Sequence, residues 1–135
     1  AKEFAGMPVK ELEKLMESPI PEARAGAICI MDKESRNKKI AAGRLDEMYK
    51  LYLHRHDRVN NWDLVDLCCL HMTGSFLFDR SHAVLYRLAR SINIWERRTA
   101  LLSTCYFIRQ AETGDTFKLA EILVNDYGFP SFPSF

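Results

Sequence analysis

Residues 57–66, DRVNNWDLVD, place an aromatic plane and a carboxylate four positions apart, so Trp62 and Asp66 share one face of any helix that carries both. A fixed carboxylate can stabilise developing positive charge and orient or deprotonate a water, and an indole offers a π face to a cation. Asn60 or Asn61 can cap the helix, and Asp63 then falls in its first turn, where its charge suits the free N–H groups. Capping accounts for Asp63 but not for Asp66, which lies beyond the capping positions. From spacing alone two readings stand, a site or a structural tryptophan beside a solvated aspartate.

Arg98 is the third residue of interest. Early in a later helix, it can pair with Asp66 inside the protein or serve as a repeated scaffold arginine, as Arg24 would. Trp95 and Met72 read as core. His54-x-His56 and Cys68-Cys69-x-His71 carry metal-ligand residue types, but adjacent cysteines on a helix point about 100° apart and no CxxC or HExxH spacing occurs, so no metal site is expected. There is no Gly-rich phosphate loop and no GxSxG elbow.

These residues need helices to hold them. Helical periodicity runs through nearly the whole chain, and no segment shows period-two alternation bounded by hairpin turns. The expected fold is all-α. The predicted helices begin after Pro8, run from Pro21 to Met31, from after Ser35 to Leu53, from the quoted motif to a glycine cap at Thr73-Gly74, from Asp79 or Ser81, from Ile94 (capped by Asn93) to Gln110, and after Thr113-Gly114-Asp115. SPIPEARAGA from Ser18 and INIWERRTAL from Ile92 align without gaps, matching Ile20-x-Glu22-x-Arg24 to Ile94-x-Glu96-x-Arg98 at an offset of 74 residues. That is about two repeats of ~40 residues, which favours a HEAT-like α-α superhelix of six to seven helices over a closed bundle.

The chain has 135 residues, 47% hydrophobic and 27% charged, with a net charge of +1, which bounds it to one soluble globular domain, read as residues 1–126. No apolar run is long enough for a membrane span and no secretory leader is legible, so a cytoplasmic location, in a bacterium the cytosol or nucleoid, is the expectation. The four cysteines, Cys29, Cys68, Cys69 and Cys105, read as reduced and mostly core. Between His54 and Gln110 eight arginines face five acids, a local basic excess that the whole-chain charge hides. The start at Ala1 and the ending YGFPSFPSF suggest a chain cut at both ends, with residues 127–135 an irregular tail and uncapped repeats open to self-association.

NNWDLVD, then SINIWERRTALLSTCYFIR about thirty residues on, then DTFKLAEILVND, closely resemble the AlkD-like DNA alkylation repair family, glycosylases built from HEAT-like repeats, over roughly residues 8–126. The W-D-x-V-D and N-I-W-x-x-R blocks, in that order and spacing, carry the resemblance. It implies excision of N3- or N7-alkylated purines from duplex DNA held on the concave face, without a metal or organic cofactor. The family's catalytic positions fall on Trp62, Asp66 and Arg98, and the DNA-facing set would be Arg98, Arg97, Arg58 and Asn61. A further repeat with a second site tryptophan is absent here, since Trp62 and Trp95 are the two tryptophans of this chain. The other class of function open to the sequence is a non-catalytic HEAT-repeat module that binds DNA or a protein partner.

Overall fold

The computed structural model describes residues 4–127. Within them the chain is helical throughout and contains no strand. Helices α1 (Val9–Glu17), α2 (Pro21–Ser35) and α3 (Ala42–His54) are followed by a short 3-10 turn and α4 (Trp62–Cys68). A π-helical stretch (Cys69–Gly74) joins α4 without a break to α5 (Ser75–Leu77). Then come α6 (Ala83–Ala89), α7 (Ile94–Arg109) and α8 (Gly114–Tyr127). Counting α4 to α5 as one rod, the described residues form seven rods that pair as α1 on α2, α3 on the π segment and α5, and α6 on α7. The second members lie side by side, α2 against α4 and α4 with its π segment against α7, giving a helical-repeat superhelix with α2, α4 and α7 as one layer.

The core divides the same way. Leu12, Met16, Ile28, Met31, Met48, Tyr52, Val65 and Met72 fill the first two pairs; Phe76, Leu85, Ala100, Phe107, Leu119 and Leu123 fill the rest. Tyr49 of α3 stacks on Phe76 of α5 at 4.0 Å within the second pair, and Leu45 and Leu53 of α3 touch both clusters, so the water removed from these two leucines couples the clusters. Met72 is fully buried, and Trp95 packs half-buried on the first cluster, in line with a core reading of both.

Four expectations need correction. The second helix does not stop at Met31 but continues to Ser35, and the next starts only at Ala42; Arg36 caps α2 on the Asp32 carbonyl, and the Asn37 side chain accepts from the Lys39 N–H, closing a turn. Gly74 does not cap a helix. Its backbone is helical and the rod runs on, because a Cβ there would sit 2.6 Å from the Ser103 carbonyl oxygen and 2.7 Å from the Tyr106 Cβ, so only glycine lets this rod approach α7 so closely. The cysteines are all free, but only Cys68 and Cys69 are buried; Cys29 and Cys105 are exposed. Tyr127 closes α8 rather than opening a tail, and residues 128–135 lie outside the described residues.

Candidate active site

The three parallel inner helices present equivalent positions to one another. Counting the first helical residue as one, position five is Ala25 in α2, Asp66 in α4 and Arg98 in α7. Asp66 and Arg98 meet across the α4–α7 seam: Arg98 Nε donates to Asp66 Oδ1 at 2.8 Å and Nη2 to Oδ2 at 3.0 Å. Thr73 meets Ser103 further along the same two rods at 2.6 Å between hydroxyls, so they run in the same direction. The pair is open to water, with 42% of the Arg98 side chain and 36% of the Asp66 side chain exposed. The bond to Asp66 holds the Arg98 pKa above its ordinary value despite some desolvation.

Trp62 occupies position one of α4 and is 58% exposed, the same as Ile94 at position one of α7. Neither is needed to fill the core. Asn61 is the cap of α4, its side-chain oxygen accepting from the Leu64 N–H at 3.0 Å, and Asp63 stands in the first turn, both as the sequence suggests. An open indole therefore stands one turn before a carboxylate that an arginine orients.

A polar layer lies under the ion pair. Thr99, next to Arg98 and fully buried, bonds His56 Nε2 at 2.7 Å and the Tyr52 hydroxyl at 3.2 Å. Burial pushes the His56 pKa down, and burial pushes the Cys69 thiol up to about 12. These residues fix the start of α7 on α3 and hence the height of Arg98. The sequence signal for them is Thr99, Ser103 and Thr104 on the inward face of α7, hydroxyls where an apolar stripe would be simplest. Towards the far end of the layer, His71 is held below its ordinary pKa by burial first and by Arg36, with Asp32 opposing and Arg109 adding to the effect.

The other DNA-facing candidates have structural tasks. Arg58 donates to the carbonyls of Met16, Glu17 and Ser18 at 3.1–3.2 Å and so closes the end of α1. Arg97 donates from Nη1 to the Ser91 and Ile92 carbonyls, both at 3.0 Å. Arg24 does the same to Ser18 at 2.9 Å, six residues back in each case. The serines match too: Ser18 Oγ accepts from the Ile20 N–H at 3.1 Å and Ser91 Oγ from the Asn93 N–H at 3.0 Å. The repeat therefore holds at an offset of 73 residues, not 74. The scaffold arginine equivalent to Arg24 is Arg97, and Arg98 corresponds to Ala25.

Among the described residues no group of three His, Cys, Asp or Glu side chains is placed to hold a metal ion, and no helix is long and apolar enough to cross a membrane. Comparison with curated proteins and with solved structures gives no match. A family model described as "DNA alkylation repair enzyme" matches residues 1–129, which is nearly the whole chain and includes Trp62, Asp66 and Arg98; the chain belongs to that family.

Proposed function

We propose that this protein is a DNA glycosylase that excises N3- or N7-alkylated purines from duplex DNA, with Asp66, Trp62 and Arg98 as its site. The observation that carries the reading is the exposed Asp66–Arg98 pair with open Trp62 one turn away, set at equivalent positions of adjacent inner helices in a member of a DNA alkylation repair family. Alkylation at N3 or N7 makes the purine cationic and a good leaving group. As the C1′–N bond breaks, the departing nitrogen keeps the electron pair, the base leaves neutral, and positive charge moves to the sugar. The Asp66 carboxylate stabilises that charge, and a water held by it bonds to C1′ and loses its proton. Trp62 stacks on the cationic base or on sugar C–H groups. Arg98 contacts a backbone phosphate. Exposure of all three side chains suits a duplex lying across the layer rather than a base drawn into a closed pocket.

The test is release of 7-methylguanine from alkylated duplex DNA under single-turnover conditions. The wild-type chain releases the free base, and Asp66→Asn lowers the rate by about 100-fold or more while binding DNA nearly as well. Binding of DNA without release by either protein would instead mark a non-catalytic binding module.

A further inference from the structure

The turn between α6 and α7 carries the most exposed large apolar side chain among the described residues: Ile92 is 96% open to water. The turn itself is held. Arg97 Nη1 donates to the Ser91 and Ile92 carbonyls, both at 3.0 Å, Ser91 Oγ accepts from the Asn93 N–H at 3.0 Å, and the Asn93 side chain caps α7 on the Trp95 N–H at 2.9 Å. The fold asks nothing of the side chain at its tip, because the same serine and arginine bonds close the turn before α2, where the 73-residue register puts Pro19. Ile92 also continues a row. Trp62 and Ile94, at the first positions of adjacent inner helices, are each 58% exposed, and Ile92 stands two residues beyond Ile94. Residues 87–98 hold four arginines and one acid, so this apolar tip stands in a basic stretch of the chain.

We infer that Ile92 is an apolar wedge: on a duplex lying across the inner layer, the tip of the α6–α7 turn enters the minor groove and loosens the base stack beside the nucleotide held at Asp66. The inference rests on the glycosylase reading of the site. An aliphatic side chain flanked by arginines suits the minor groove, where the potential is strongly negative and an apolar group can part base steps. Parting costs least at a damaged pair, so the wedge favours a lesion over its undamaged neighbours. The reach fits. From Ile94 to Arg98 the helix rises about 6 Å and two residues of turn add at most ~7 Å, so the tip lies within about four base steps of the site. The held turn matters because a loose one would fold the isoleucine back onto the protein instead of presenting it to the bases.

Destacking is read directly with 2-aminopurine, whose fluorescence rises when it leaves the stack. In a short undamaged duplex carrying it, saturating wild-type protein should raise the signal about threefold; Ile92→Ser should leave it within about 1.3-fold of the free duplex, and Ile92→Met should keep the rise. Ile92→Ser should keep the wild-type Tm, because the side chain is open, and the same salt slope of DNA binding, because no charge changes. Its base release should be about tenfold slower than wild type from a paired 7-methylguanine, yet within about twofold when the lesion sits in a mismatch that has already loosened the stack. A 2-aminopurine rise equal in wild type and Ile92→Ser would overturn the wedge, as would equal slowing on paired and mismatched lesions. If the rise depends on Ile92 and wild type releases no base, the glycosylase reading fails and the wedge stands as a DNA-binding device. If base is released and the rise does not depend on Ile92, only the wedge fails. No binding of duplex at all would overturn both and leave the tip to a protein partner.

Discussion

Two arginine–carboxylate pairs of the same geometry sit in different parts of this molecule. Arg44 and Glu34 tie the start of α3 to the end of α2, with 17% and 13% of their side chains exposed, and the Gly6 N–H also binds Glu34 at 3.0 Å. Each partner there is committed to a further bond inside the protein. Arg98 and Asp66 make the same two-pronged contact across the α4–α7 seam, two to three times more exposed and with no further hydrogen-bond partner among the described residues. The bond that orients the carboxylate is alike in both; what differs is the spare donor capacity facing water. The Arg44–Glu34 pair uses that capacity inside the protein, and the Arg98–Asp66 pair turns it to solvent.

The sharpest way to break this comparison is to remove each arginine and measure unfolding in urea. Arg44→Ala leaves a largely enclosed carboxylate and an unsatisfied Met7 carbonyl, and should cost about 3 kcal/mol; Arg98→Ala, at an open pair, should cost under ~1 kcal/mol. Equal losses would remove the distinction. Glu34 is held below its ordinary carboxylate range, first by the hydrogen bond to Arg44. Its contribution is therefore present above the unfolded value of 4.5 and lost as pH falls through the lower folded value, so the Arg44→Ala deficit should shrink in acid.

A third charged contact tests whether enclosure, rather than charge, makes such a pair structural. His82 places Nδ1 on the Asp115 carboxylate at 2.6 Å and Nε2 on the Phe78 carbonyl at 3.0 Å; both partners are acceptors, which favours the doubly protonated ring. Burial pushes the His82 pKa down, but Phe78 and Asp115 outweigh it and leave the pKa raised, while Tyr86 also donates to Asp115 at 2.5 Å. A raised folded value means stability that is full below the unfolded value of 6.5 and lost as pH rises through the folded value. His82→Gln should therefore cost about 1 kcal/mol, roughly 3 °C in Tm, near pH 5.5, and progressively less above pH 7. A deficit that does not change with pH would show that His82 is neutral.

The smallest effect sharpens the assignment of the repeat. Arg24→Ala and Arg97→Ala each remove a bond to a serine carbonyl six residues back, and Arg97→Ala also removes the one to Ile92, so each should cost about 1 kcal/mol, Arg97→Ala somewhat more. No measurable cost for either substitution would contradict a shared scaffold role at the 73-residue register.

Much of this was legible in the sequence, and the misses have physical causes. The all-helical fold, an asparagine cap at Asn60 or Asn61 (the structure selects Asn61), the Asn93 cap and an Asp66–Arg98 pair as one reading follow from periodicity, capping chemistry and charge. Gly74 was misread because a glycine near a helix end usually serves conformation, whereas here it serves contact with α7, a tertiary fact that no local pattern carries. The register slipped by one because two neighbouring arginines, Arg97 and Arg98, gave the alignment a choice, and only the serine carbonyls decide it. The tasks of Arg58 and Arg97 were hidden for the same reason: their acceptors are backbone carbonyls, and composition says nothing of those. The Tyr52–His56–Thr99 layer was visible only as misplaced hydroxyls on α7.

The most direct test of the central claim, that the exposed pair serves a reaction rather than the fold, is a double-mutant cycle on Asp66→Asn and Arg98→Ala, read on both urea stability and 7-methylguanine release. The account predicts a coupling in stability below about 1 kcal/mol, with release falling about 100-fold or more in Asp66→Asn. A stability coupling of about 2–3 kcal/mol or more in a protein whose base release is unchanged by Asp66→Asn would contradict it.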